Sequence, residues 1–319
     1  MNSQSVDPPM PTVRRSGLIM PVHVERFVQG VWRRGVDNVT LDLEDSVPPA
    51  QKAAARLLVR DAITAAGRGG AVVGVRINRE SWQADIEASV WPGLRNITFP
   101  KAEDPAVIAA AGDLIERLER ERGLPEGSVG LSLIIETVAG LEQVDALRTA
   151  HPRLTGAGGP ADVDFTADLG IVLDATLDSL EWARGEMDLF QRATGGRGLN
   201  RWAPGRAITE YGDEDAIRRA ADRKRRDGGR GGGGIHPSLV APQNAGYTPP
   251  DEEMAEAAAI VAAFDAAWAR GAATAEVRGR IVTKRTAEAA REYIRYGQAC
   301  RAEEARKADL RRQIEQGQA

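Results

Sequence analysis

Three carboxylates close the run Leu41-Asp42-Leu43-Glu44-Asp45-Ser46-Val47, which follows an apolar stretch that reads as a strand. Packing alone gives little reason for that much negative charge at a strand end. Carboxylates brought together hold protons more tightly by mutual repulsion unless a cation or a donor offsets it. The run therefore points to a metal, an arginine or acid–base chemistry nearby. Other charged side chains sit in similar contexts: Arg76 in Val75-Arg76-Ile77-Asn78, Lys101 and Glu103 in Phe99-Pro100-Lys101-Ala102-Glu103, and Glu136 after Leu133-Ile134-Ile135. Asp162 and Asp164 precede Phe165, and His236 precedes Pro237. An ionised Glu136 behind an apolar strand needs a partner. That partner is a basic side chain or a metal ion. Asp164 could cap a helix starting near Thr166, or share one Mg²⁺ with Glu136, with waters and substrate oxygens completing the shell. The planar guanidinium of Arg76 suits a carboxylate or a developing enolate; a structural pair with Glu44 or Asp45 competes. Lys101 could bind an anion or only close a turn. His236 reads as a hydrogen-bonded structural residue, and His23 and His151 carry no usable pattern.

These residues gain meaning from the elements that must carry them. Short apolar segments alternate with longer helical ones, which predicts a parallel α/β fold. Predicted strands are 17–21, 38–44, 71–78, 96–101, 129–137, 153–158, 198–204 and 232–236, with helices 24–34, 49–66, 86–90, 105–122, 140–150, 177–194 and 213–226 between them. Eight repeats over roughly 230 residues match a (β/α)8 TIM barrel, in which active sites form at the strand C-termini. Most of the singled-out residues fall there. A doubly wound sheet would want a glycine-rich turn after the first strand, and Val22-His23-Val24-Glu25 is not one. The segment 227–234 reads as a mobile glycine-rich loop, either a flexible connection or a loop near a ligand. From Pro249 the chain is expected to be helical, over 251–270 and 286–298, with a charged tail from Arg301 that reads as a solvated helix fraying at its end. The expected organisation is an N-terminal tail at 1–13, a barrel domain at 14–245 and a C-terminal helical extension at 246–319.

Composition narrows the function. The 319 residues suit one large domain or two small ones. A formal net charge of −4 gives no field that would gather nucleic acid. The lone Cys300 excludes an internal disulfide framework and a cysteine-based zinc site. Oxygen ligands would favour Mg²⁺ or Mn²⁺. No apolar run reaches the roughly 18 residues of a membrane span, and the N-terminus lacks a signal-peptide core. A soluble cytoplasmic protein is expected.

Taken in order, several short motifs resemble the citrate lyase β-subunit-like and malyl-CoA lyase branch of the HpcH/HpaI aldolase superfamily. They are Arg15-Ser16-Gly17-Leu18 with Pro21, Leu41 to Val47 followed by Lys52 and Arg56, Val75 to Asn78, Phe99 to Glu103, and Ile135-Glu136-Thr137. Asp164 to Gly170, Ile235-His236-Pro237 and Tyr247-Thr248-Pro249 complete the set. The resemblance implies a barrel with a helical extension, assembled as a homotrimer or homohexamer. It implies Mg²⁺ held by Glu136 and Asp164, and a substrate contact from Arg76. Arg15 and Lys101 are taken as further substrate-binding residues, and Glu44 and Asp45 as acting beside Arg76 at the reaction centre. The implied chemistry is reversible carbon–carbon cleavage of a 3-hydroxyacyl-coenzyme A thioester to an acyl-CoA and a 2-oxo acid. Alternatives are an aldolase that works without CoA, and a non-catalytic acyl-CoA-binding paralogue.

Three departures from the family pattern stand out. Gly159-Pro160-Ala161-Asp162 offers Asp162 as a rival to Asp164, but Asp164 keeps the family's four-residue step to Asp168. Ala161 stands where a glycine is usual. Thr283, in Gly279-Arg280-Ile281-Val282-Thr283, stands where many members carry an aspartate, and a threonine is not a carboxylate base.

Overall fold

The computed structural model describes residues 12–159, 162–171, 182, 183, 185, 187 and 212–317. Contacts divide the chain into two compact units. The larger combines Arg14–Tyr247 with Lys307–Ala319, and the smaller combines Met1–Val13 with Thr248–Arg306.

In the larger unit, β1 (Ser16–Pro21), β2 (Asn38–Asp42), β3 (Val72–Arg76), β4 (Leu94–Phe99), β5 (Gly130–Ile134), β6 (Leu154–Gly158) and β7 (Gly232–Gly234) form one parallel sheet. Its order is β6-β5-β4-β3-β2-β1-β7. Each strand from β2 to β6 lies beside its predecessor, and β7 returns to the free side of β1. This is the winding of a barrel, because a doubly wound sheet reverses at a switch point. Among the described residues the sheet is open between β6 and β7, so the expected eight-stranded closure is not complete there. The predicted strand at 198–204 and most of the predicted helix at 177–194 lie outside the described residues.

Strand side chains alternate between two faces. On one face Val39, Leu41, Val73, Val75, Ile97, Leu131 and Leu133 are almost fully buried. They belong to the main core with Ala55, Val59 and Ile63 of the Lys52–Gly67 helix and Ile108 and Ile115 of the Pro105–Glu121 helix. On the other face, Asn38, Thr40, Arg76, Asn96, Thr98 and Ser132 line an interior cleft. Barrel interiors are usually filled by branched aliphatic side chains. Here they carry hydrogen-bonding groups instead: Asn96 Nδ2 donates to Ser132 Oγ at 2.7 Å, and Thr155 Oγ1 donates to Asn96 Oδ1 at 3.2 Å.

In the glycine-rich segment the predicted strand at 232–236 is present in part, in place of the mobile loop expected over 227–234. Gly232–Gly234 is β7, paired with Ser16 to Leu18. A Cβ at Gly231 would lie 1.8 Å from the Arg14 carbonyl oxygen, so the backbones approach more closely than any side chain allows. Composition alone cannot distinguish that constraint from flexibility.

The N-terminal edge of the sheet is tied by a buried ion cluster. Asp37 accepts from Arg15 Nε at 2.9 Å and from Arg15 Nη2 at 3.0 Å, and Lys307 Nζ bonds both Asp37 and the Gly35 carbonyl. Lys307 lies in the Lys284–Glu315 helix and is fully buried. The charged tail is helical as expected, but at Lys307 it is buried where a solvated face was expected.

In the smaller unit, helix Asp251–Ala269 opens with Asp251, Glu252 and Glu253 in its first turn, which suits the positive end of the helix dipole. The segment after it is not wholly helical as expected. β8 (Ala275–Val277) and β9 (Arg280–Val282) form an antiparallel hairpin. Its two turn residues, Arg278 and Gly279, have φ of 51° and 75°, as a two-residue turn of the type I′ kind requires. Thr283 Oγ1 accepts the Thr286 N–H at 3.3 Å at the start of the following helix. No helix among the described residues is long and apolar enough to cross a membrane.

Candidate active site

Register places the site. Parallel pairing aligns Asp42 with Arg76, Arg76 with Thr98, and Thr98 with Ser132. Asp42 and Arg76 are the last residues of β2 and β3, so their inward side chains meet at the C-terminal edge. Arg76 Nε and Nη2 donate to the two oxygens of Asp42 at 2.8 and 2.9 Å. Asp42 also accepts from the Glu44 N–H at 3.0 Å, the Ser46 N–H at 3.1 Å and Ser46 Oγ at 2.5 Å. Burial pushes its carboxyl up, but the Arg76 bonds and charge, with the Ser46 and Glu44 bonds, hold it below the usual carboxylate range. Asp42 thus fixes both the turn and the guanidinium plane. The third guanidinium nitrogen, Nη1, lies 3.0 Å from Glu44 Oε2. The competing structural reading of Arg76 is thus present with Glu44, though Asp45 is not its partner.

Beyond this pair lies a ring of acids. Glu136, two residues past β5, is 3% exposed. Burial, then the charges of Glu44 and Asp164, push its carboxyl up to about 7 despite Arg76 and Lys101. Burial also raises Glu44, with Asp45 adding to the shift and Arg76 and Lys101 opposing it. Glu44 Oε2 is buried without a hydrogen bond. Lys101 reaches across the ring: its Nζ is 3.2 Å from Glu44 Oε1, 3.7 Å from Asp164 Oδ1 and 4.0 Å from Asp45 Oδ2. Burial would lower the Lys101 ammonium, but Glu44, Asp45 and Asp164 together raise it.

The sequence expectations divide accordingly. Arg76, Glu44, Lys101, Glu136 and Asp164 converge. Asp45 sits at the exposed rim, 4.0 Å from Lys101. Asp164 does not cap its helix, because that helix starts at Asp162 and Asp164 lies within its first turn. The Asp162 side chain lies outside the described set. Arg15 does not join the converging residues: it sits at the N-terminal edge, one strand length of roughly 20 Å from the site, and the Nε–Nη2 edge of its guanidinium is on Asp37. His236 Nδ1 is 2.8 Å from Ser238 Oγ and accepts the Ser238 N–H, as a structural residue would.

Sequence reasoning missed what supports the ring. Buried Asp85 accepts the Asn78 N–H at 2.7 Å, Asn78 Nδ2 at 2.8 Å and Arg56 Nε at 2.5 Å. These bonds give Asn78 and Arg56 structural roles. Arg79 pairs with Glu103 at 2.8 Å, and Glu103 accepts from Thr137 Oγ1 at 2.8 Å. Lys101 itself has φ of 47°. The acidic spacing hints at none of these.

An all-oxygen set of Glu44, Glu136 and Asp164 suits a hard divalent cation. The buried Glu44 carboxylate, whose Oε2 has the Arg76 ion pair but no hydrogen bond, and the elevated Glu136 carboxyl are what such a cation would relieve, so the residues present fit one. Among the described residues, the one group that brings three ligand atoms within 4.8 Å of one another is Asp113, Glu116 and His151. There, however, His151 Nδ1 accepts the Arg153 N–H at 3.1 Å. The hydrogen of the neutral ring is then on Nε2, facing the two carboxylates, and no lone pair is left for a metal.

A curled parallel sheet with converging acids, a clamped arginine and a lysine at its C-terminal edge has the layout of an α/β enzyme site, with oxygen ligands that suit a divalent cation. Residues 15–206 match the HpcH/HpaI aldolase/citrate lyase family, and the chain belongs to that family. An L-malyl-CoA/β-methylmalyl-CoA lyase of Cereibacter sphaeroides is 30% identical over 298 residues, spanning 86% of this chain and 92% of the relative. The citrate lyase β subunit of Leuconostoc mesenteroides subsp. cremoris is 27% identical, spanning 85% and 89%. A structure of the M. tuberculosis citrate lyase β subunit complexed with oxaloacetate and magnesium has a TM-score of 0.55 at 25% identity, covering 74% of this chain and 98% of that one. These relatives are carbon–carbon lyases.

Proposed function

We propose that this chain is a Mg²⁺-dependent carbon–carbon lyase that cleaves or forms a 3-hydroxyacyl-CoA of the malyl-, citramalyl- or citryl-CoA type, giving an acyl-CoA and a 2-oxo acid. The observation that carries the reading is the convergence of Glu44, Glu136 and Asp164 beside an arginine fixed by Asp42. The names of the malyl-CoA and citrate lyase relatives support the reaction class, and the magnesium and oxaloacetate in the mycobacterial structure support the cation and the oxo acid.

Glu136 and Asp164 would hold the cation, with Glu44 beside them, and Mn²⁺ could substitute. When bound, the ion supplies electrophilic polarisation of the oxo-acid oxygens. Arg76 orients its guanidinium through Asp42 and keeps N–H donors for the thioester oxygen as it gains enolate charge, an interaction strongest in the transition state. Lys101 offers a second positive group to an anionic substrate. Asp45, at the rim, acts from the solvent side. The same reading takes the fold as a (β/α)8 barrel. It also takes 14–245 as the catalytic domain and 246–319 as the extension, in a cytoplasmic homotrimer or homohexamer.

The test is a screen of malyl-, citramalyl- and citryl-CoA with Mg²⁺, read by release of free acyl-CoA, with and without excess chelator. Turnover of one thioester that stops with chelator is expected. Turnover that persists in chelator would overturn the cation assignment. Turnover of free hydroxy acids alone would favour the CoA-independent aldolase, and CoA binding with no turnover would favour a binding paralogue.

A further inference from the structure

Lys101 touches the acid ring in two ways. Its ammonium lies 3.2 Å from Glu44 and 3.7 Å from Asp164, while its backbone N–H donates to Glu136 Oε2 at 3.2 Å. Its backbone is left-handed, with φ of 47°, a conformation that a residue with a Cβ adopts only at a cost. Strain of this kind persists where the surroundings over-determine it. Here Glu136 holds the N–H, and Arg79, itself paired with Glu103, donates to the Lys101 carbonyl at 3.4 Å. The turn places the ammonium among the oxygens that a divalent cation would use.

We propose that Lys101 is an exchangeable internal cation: its ammonium and a divalent ion compete for Glu44 and Asp164, and this competition sets the affinity of the site for the ion. The inference rests on the reading of Glu136 and Asp164 as metal ligands. One ammonium carries a single charge and no coordination preference, whereas a divalent ion carries two charges and binds carboxylates in its inner shell. The Lys101 side chain is 28% exposed, so it has an open side to turn toward. Arg76 cannot play this part, because Asp42 holds two of its nitrogens and its side chain is only 14% exposed. Once displaced, the ammonium faces the mouth, where an anionic substrate would meet it. Ion binding and substrate capture are then linked through one side chain.

The test titrates metal-free protein with Mn²⁺, reading the free ion by electron paramagnetic resonance, for wild type, Lys101→Met, Lys101→Arg and Asp164→Asn. Lys101→Met should bind Mn²⁺ about tenfold more tightly, a change of about 1.4 kcal/mol, with Lys101→Arg near wild type and Asp164→Asn at least about tenfold weaker. If Asp164→Asn is weakened but Lys101→Met binds no more tightly than wild type, the lysine inference fails and the metal site stands. If Asp164→Asn binds as wild type, the metal-site reading itself fails. A second readout needs no Met variant. After reductive methylation with ¹³C-formaldehyde, the Lys101 resonance, identified by its loss in Lys101→Arg, should shift on adding Mg²⁺. A resonance that stays in place overturns the exchange.

Discussion

Replacing Glu136 with glutamine removes one charge from the ring and keeps an oxygen to accept the Lys101 N–H. In the metal-free wild type the folded carboxyl is raised from 4.5 to about 7 by burial and by Glu44 and Asp164. A folded-state value above the unfolded one means that the native protein binds the proton more tightly. Below about pH 4.5 both states are protonated and nothing is lost. Stability then falls as pH rises from there to about 7, and the full penalty remains above it. At about 1.4 kcal/mol per pH unit the penalty is about 3 kcal/mol. Glu136→Gln should therefore match wild type at pH 4.5 and exceed it by up to about 3 kcal/mol at pH 8, in urea unfolding with chelator present. Saturating Mg²⁺ should reverse the order, because an ion bound only to the native state stabilises it by mass action and the variant lacks the proposed Glu136 ligand. A stability difference that is flat with pH, or equal stabilisation of both proteins by Mg²⁺, would refute the account of Glu136.

Arg76→Lys should lower lyase turnover by about 100-fold or more while the protein stays folded, since a point charge cannot reproduce the paired bonds to Asp42; steady-state kinetics with the thioester found in the screen, beside circular dichroism, would show it, and near-normal turnover would deny Arg76 its role. Asp37→Asn should cost about 3–5 kcal/mol at pH 7, because it leaves Arg15 and Lys307 buried without their anion. Burial pushes the Asp37 carboxyl up, but Arg15 and Lys307 hold it below its ordinary range. Its contribution is thus present above about pH 4 and is lost as pH falls further. The deficit in chemical denaturation should shrink on acidification, and a variant as stable as wild type at pH 7 would contradict the cluster.

Much of the site was legible because of one period. In Asn38-Val39-Thr40-Leu41-Asp42, apolar residues face the helices and polar ones the interior, and the alternation carries on to Glu44. Arg76 ends β3 with the same phase. Neighbouring parallel strands in register then bring inward-facing charges together, so a strand-end list was nearly a site list. Arg15 lies outside that logic, because it precedes β1 and only the family motif points to it. Its partner Asp37 stands before β2, and Lys307 comes from 270 residues further along, a pairing no local pattern announces. The β8–β9 hairpin was missed because three-residue strands leave too little alternation to read. Lys101 was flagged as a cation, but its left-handed backbone is imposed by Glu136 and Arg79, which are distant in sequence.

The buried pairing of Lys307 with Asp37 also bears on how the protein is made. Asp37 and Arg15 leave the ribosome early, and the ammonium that completes their cluster follows only after the entire smaller unit has been synthesised. A nascent chain halted before residue 307 holds Asp37 with one cation, and its first strands lack their full tie. The larger unit is therefore discontinuous in synthesis. Its final consolidation waits for a late helix, a long-range closure of the kind that slows folding and extends the interval of exposure to chaperones and proteases.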